Sequence, residues 1–170
     1  IVHEGHKEAF TKRKELKNIH YFASSKLNYE KLWEVIFNYV DQKYDINKFE
    51  AIFISGDGAS GIKNYTNCFP NAIFILDPFH YKKKHLKYLF KKEIELANIA
   101  DDYIRNNMID DFKKLVKIQI DKYPEQEKYM KENMNYIINN LDGIKNQNHP
   151  LYKCPCSMEG HVNQGFARYI

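Results

Sequence analysis

Apolar positions along the chain change their spacing as it proceeds. In "FEAIFIS" (49–55) and "NAIFILD" (71–77) they run without a break, the pattern of short strands covered on both faces. In "YEKLWEVIFNYVDQKY" Leu32, Trp33, Ile36, Phe37, Val40 and Tyr44 recur at every third or fourth position. That spacing predicts an amphipathic helix, opened by Asn28 as N-cap. "NIHYFAS" (18–24) reads as a strand, and the opening "IVHEG" as the end of another. Between the two apolar runs, "SGIKNYTNCFPN" allows a helix of two or three turns before Pro70 ends it.

After Asp77 the spacing becomes helical throughout. Phe79, Leu86, Phe90, Ile94 and Ala97 form one stripe, and Ile104, Met108, Phe112, Leu115, Val116 and Ile120 a second. Met130, Met134, Ile137, Ile138 and Leu141 form a third. Such stripes are core-facing, not cofactor contacts. "DGIKNQNHPLYKCPCS" reads as a loop, and Ser157 or Glu159 opens a last helix, "EGHVNQGFARYI". The order predicts an α/β core carrying an all-helical block, one domain rather than two.

At 170 residues the chain is long enough for one sizeable core. No apolar stretch reaches the roughly 20 residues of a membrane span, so no membrane partner is expected. Three cysteines make no disulfide framework, and the odd count fits a reducing cytoplasm. The net charge of +4 is modest, but "HYKKKHLKYLFKK" concentrates Lys82, Lys83, Lys84, Lys87, Lys91 and Lys92. Clustered lysines are what phosphate backbones select, although a merely solvated helix face has the same composition.

The chemistry centres on Gly56-Asp57-Gly58-Ala59-Ser60-Gly61. Its glycines match the G-x-G-x-x-G of a dinucleotide-binding turn, with Asp77 about where a ribose-binding acid would sit. Asp57 opposes that reading, because a carboxylate between the first two glycines repels a pyrophosphate. The alternative joins more residues. Asp57 and Asp77 end two apolar runs, at the edge where open α/β sheets place their sites. Gly56 and Gly58 would leave space beside Asp57 for a metal and a phosphate. His80 follows Asp77 by three residues, and Glu159, with His161 close by, would complete a site for divalent ions and in-line phosphoryl transfer. Each residue also has a plain structural role open to it: Asp57 a turn or N-cap, Asp77 the close of a strand, Glu159 a first-turn acid favouring the helix dipole. A zinc site from Cys154, Cys156, His161 and His80 is a further alternative, with C-x-C spacing tighter than structural sites use.

"ISGDGAS", "LDPFHYKKKHLKY" and "CSMEGHVNQGFARY" resemble, in that order, the conserved blocks of bacterial insertion-sequence transposases of the ISLre type. Those are DDE enzymes related to the Mutator-like transposases. The resemblance spans the whole chain and implies an RNase H-like fold. Residues 1–80 would be the strand-rich part of its core, 81–145 a helical insertion, and 146–170 the loop and helix completing the core. It implies that Asp57 is the second catalytic carboxylate and Glu159 the third, both ligands to Mg²⁺ or Mn²⁺. Asp77 and His80 would support the site, with His161 nearby. The lysines would meet double-stranded DNA, at the element's ends and at its target, in the bacterial cytoplasm, with a homo-oligomer on the DNA conceivable. Two departures stand out. No strand-borne Asp precedes Asp57, so the chain is expected to start downstream of the first catalytic strand and to be inactive alone. Position 61 is Gly where the family pattern leads one to expect Trp. A non-catalytic nucleic-acid-binding remnant of a mobile element is the rival reading.

Overall fold

A computed structural model describes residues 1–6 and 15–154. The chain is mixed α/β, and it divides into two compact units, one of residues 1–74 with 150–170, the other of residues 75–149.

In the first unit, α1 (Tyr29–Lys43) forms where the three-and-four spacing places it, and the Asn28 side chain accepts the Lys31 N–H at 3.0 Å, as an N-cap should. β1 (Ile52–Gly56) follows, then α2 (Ser60–Lys63), and β2 (Ala72–Leu76) pairs with β1 in a two-stranded parallel sheet. Val40, Ile46, Ile54 and Phe69 are the buried centre of this unit, with Trp33, Ile36 and Phe37 of α1 packed against them.

Two expectations fail here. "NIHYFAS" is no strand: His20 makes an isolated antiparallel bridge to Val2, and Leu16 another to His6. Between them Gly5 (φ +89°) and Asn18 (φ +50°) take left-handed conformations, which no regular ladder accommodates. The helix after Asp57 is a single turn, not two or three. It ends at Lys63 with Asn64 as C-cap, and a short 3₁₀ turn, Thr66–Cys68, covers most of the remaining distance to Pro70.

The second unit is helical after β2. A π-helix, His80–Leu86, runs into α3 (Lys87–Leu89), followed by α4 (Glu95–Arg105), α5 (Ile109–Lys122), α6 (Glu127–Asn139) and α7 (Leu141–Lys145). Its core is tightly closed: Leu76, Tyr81, Phe90, Ile104, Phe112, Val116 and Ile137 expose nothing. The π turn shifts the buried face away from the first predicted stripe. Its bonds reach from residue i to i+5, so the buried face drifts from the α-helical spacing and takes in Tyr81, while Ile94 lies exposed at the N-cap of α4, after α3 has ended at Phe90. The second stripe is broken by Asn107 (φ +60°), which separates α4 from α5 and leaves Met108 exposed at the cap of α5. Among the described residues no helix is long and apolar enough to cross a membrane.

Candidate functional site

Asp57 is the first residue after β1 and is exposed. Its Oδ1 accepts the Ala59 N–H at 3.0 Å, closing a small turn around Gly58, whose φ of +86° only glycine adopts freely. The two flanking glycines differ in purpose. A Cβ on Gly56 would lie 2.8 Å from Ile62 Cδ1 and 2.9 Å from Cγ2. Gly56 therefore admits the side chain of α2 onto the strand end, and the space expected there for a metal is filled by Ile62. Gly61 is covered by α1: Trp33 Nε1 donates to its carbonyl at 2.9 Å, and a Cβ would meet the Tyr29 ring at 3.1 Å. Trp33 also stacks with Tyr65, centroids 6.0 Å apart. The aromatic side chains at position 61 thus come from α1.

In the second unit, Asp77 follows β2 and is buried. Its Oδ1 accepts the Phe79 N–H at 2.8 Å and its carbonyl accepts the Tyr81 N–H at 3.0 Å. With Pro78 next in the chain, this is a helix cap of Asp followed by Pro at the first helical position. Oδ2 faces His80 Nδ1 at 3.3 Å, and His80 Nε2 faces Lys84 Nζ at 3.1 Å. An ammonium only donates, so Nε2 accepts and the ring proton sits on Nδ1, donated to Asp77. Lys84, His80 and Asp77 form one hydrogen-bonded line.

A second polar network braces the strand end. Gln147 Nε2 donates to the Leu76 carbonyl at 2.8 Å, and Gln147 Oε1 accepts from Arg105 at 3.0 Å. Asp101 holds Arg105 (2.9 Å), the Tyr81 hydroxyl (2.6 Å) and Lys82 (3.1 Å). Burial alone would raise the Asp101 pKa. The bonds from Tyr81 and Lys82 and the Arg105 charge outweigh it and hold the carboxyl below its usual value. Burial, and then Asp101, push the Tyr81 phenol up. No sequence pattern singled out this network, because Asp101, Arg105 and Gln147 sit at unremarkable helical and loop positions.

All six lysines of the cluster are exposed. Lys82 pairs with Asp101, Lys83 and Lys84 lie over the Phe79 ring at 5.7 and 5.9 Å, and Lys92 lies 5.9 Å from the Tyr123 ring. Glu159, His161 and Cys156 lie outside the described residues. Among the described residues no group of three or more His, Cys, Asp or Glu side chains is gathered as a metal site. Asp57 is a hard, exposed oxygen donor of the kind Mg²⁺ takes, but it is a single ligand.

Comparison with known proteins gives a family and no activity. No solved structure matches the chain. A UPF0236 protein of Caldanaerobacter subterraneus subsp. tengcongensis is 31% identical over 169 residues, 98% of this chain and 36% of the relative. A second from the same organism is 34% identical over 171 residues, covering 98% of this chain and 36% of its own length, and a third is 34% identical with 34% of its length covered. The chain spans about a third of the length of the relatives it matches. The family described as "Uncharacterised protein family (UPF0236)" matches residues 1–170, and the chain belongs to it.

Proposed function

We propose that this chain is part of the RNase H-like catalytic domain of an ISLre-type DDE transposase, which cuts and joins DNA ends by metal-dependent phosphoryl transfer. The observation that carries the reading is the placement of Asp57. It is an exposed carboxylate at the carboxyl end of a parallel strand, on a loop pinned by Gly58 and by the packing of Ile62 over Gly56. A carboxylate so held is pre-organised to take a cation with little loss of freedom. The sequence resemblance adds Glu159 as its partner. Bound between the acids, Mg²⁺ or Mn²⁺ would supply Lewis acidity toward a phosphate oxygen. Asp57 would hold it from the β1 end, and Asp77 with His80 would keep the start of the helical block in place. The exposed lysines would hold DNA phosphates, which gives affinity without sequence information.

The test is strand cleavage by a chain extended to the length of its relatives, on DNA carrying the element's ends. Cleavage in Mg²⁺ that EDTA stops supports the reading. Tight DNA binding without metal-dependent cleavage favours the non-catalytic remnant.

A further inference from the structure

The second unit carries a cleft that the reading above leaves unused. Lys84, His85 and Tyr88 line one wall, from the π-helix and α3. Tyr129, Glu132, Asn133 and Tyr136 line the other, from α6. It is open to solvent and measures about 640 Å³, within the roughly 300–1,000 Å³ of small-molecule sites. The floor is rigid. His85 stacks on Tyr136 with centroids 3.5 Å apart and planes 15° from parallel. The Asn133 amide nitrogen donates to the Tyr129 carbonyl at 2.8 Å, which turns Asn133 Oδ1 toward His85 Nδ1, also at 2.8 Å. The Asn oxygen only accepts, so His85 carries its proton on Nδ1 and keeps Nε2 as an acceptor. Burial lowers the His85 pKa, which favours this neutral form.

Above that floor two aromatic rings face water: Tyr88 is 51% exposed and Tyr129 38%. Their neighbours are mainly cationic. Lys84 lines the cleft, exposed Lys87 adjoins Tyr88 in sequence, and Glu132 is the one acid in the lining. Exposed aromatic faces beside lysines are the recurring arrangement for holding unpaired bases, since every base has a face to stack and a phosphate beside it.

We propose that this cleft receives an unpaired base of a single-stranded nucleic acid, stacked on Tyr88 or Tyr129, with Lys84 at the edge taking the adjacent phosphate. The proposal rests on the lysine segment being a phosphate-contacting surface and not on cleavage by Asp57.

The experiment compares two short labelled strands of equal length and phosphate count, by fluorescence anisotropy with the 170-residue chain. One is oligothymidylate and the other carries abasic sites throughout. The expected result is about tenfold tighter binding of the strand with bases. Tyr88→Ala with Tyr129→Ala should bring the two strands to within about twofold while abasic binding stays unchanged. Tyr88→Phe with Tyr129→Phe keeps the rings and should restore the preference. Lys84→Gln with Lys87→Gln should weaken both strands together. Equal wild-type affinity for the two strands, or a preference that survives loss of both rings, overturns the cleft. Absence of binding to either strand overturns the phosphate-contacting surface as well. Both tyrosines are exposed, so the variants should fold, and far-ultraviolet circular dichroism checks it.

Discussion

The two units bury their interiors to different degrees, although each packs an amphipathic helix against its core. In the first, the central residues Val40, Ile46, Ile54 and Phe69 all retain 6–8% of their surface, and Tyr29 and Val35 of α1 lie open. In the helical unit Tyr81, Phe90, Ile104, Phe112, Val116 and Ile137 are sealed completely. Two of its polar clusters, around Asp101 and Asn133, are tied into hydrogen-bonded networks, although the buried Gln119 and Asn140 side-chain oxygens have no partner among the described residues. Burial of apolar area drives folding, so the helical unit should be the more protected of the two. The candidate catalytic loop belongs to the looser unit, and the candidate nucleic-acid contacts to the tighter one.

The largest effect that would sharpen this comparison comes from core truncation. Phe112→Ala should cost about 3–5 kcal/mol, whereas Val40→Ala, which removes less and partly exposed surface, should cost about half that or less. Hydrogen exchange resolved by segment checks it: amides of residues 75–149 should exchange last in the parent and lose most protection in Phe112→Ala. Equal protection of both units would break the comparison.

Next in size is the Asp101 network. Asp101→Asn keeps the shape but weakens charge-assisted bonds to Arg105 and Lys82, and should cost the helical unit about 2–3 kcal/mol in denaturant unfolding. Gly56→Ala is expected to cost about 1–2 kcal/mol in the first unit, because its Cβ would meet Ile62 at 2.8 Å. Adding Ile62→Ala should recover part of that loss. Gly61→Ala should do less, since the Tyr29 ring it meets is exposed and can swing away.

The smallest effects are those of pH, and the helical unit has one in the histidine range. Burial lowers the pKa of His85, so the folded state disfavours its cation. Stability of the helical unit is then complete above the ordinary His value of about 6.5 and falls as pH drops below it. The groups around His85 are Asn133 and Tyr136 of α6, and His80 and Lys84 of its own helix. Asp101, depressed, adds a further loss below the ordinary carboxylate range. In the first unit Glu4 is held down to about 2 by the Tyr44 hydroxyl and Asn18. Its contribution is present above its usual value and fades as pH falls toward 2. Unfolding midpoints followed between pH 7 and 5 should fall in the parent and fall less in His85→Gln.

Local chemistry made part of this molecule legible before its structure. The Asn28 cap, the α1 stripe and the two strands were visible because capping and period are set by neighbours in sequence. Asp57 and Asp77 were visible as acids ending apolar runs, and a turn role for Asp57 with them, yet the cap that Asp77 forms was not. Asp77 proves to be a buried cap bonded to His80, and the space beside Gly56 proves to belong to Ile62. Those facts depend on tertiary approach, which no local pattern encodes. The π-helix was hidden for a related reason: a five-residue hydrogen-bond step leaves the lysine-rich composition unchanged while turning Tyr81 inward. The cleft between α6 and the π-helix with α3 was hidden because its walls are far apart in sequence, 48 residues in the pair of His85 with Asn133.

Asp57 is the point on which the functional account stands or falls. The measurement is metal-dependent cleavage and DNA binding side by side, in a chain extended to the length of its relatives, for the parent and for Asp57→Asn. The substitution keeps the side chain's shape and a carbonyl oxygen able to accept the Ala59 N–H, and it removes the negative charge. The account predicts that cleavage in Mg²⁺ is abolished while affinity for duplex DNA stays within about twofold of the parent. An Asp57→Asn protein that cleaves at the parental rate would show that Asp57 does no more than close the turn after β1, and the catalytic assignment would be wrong.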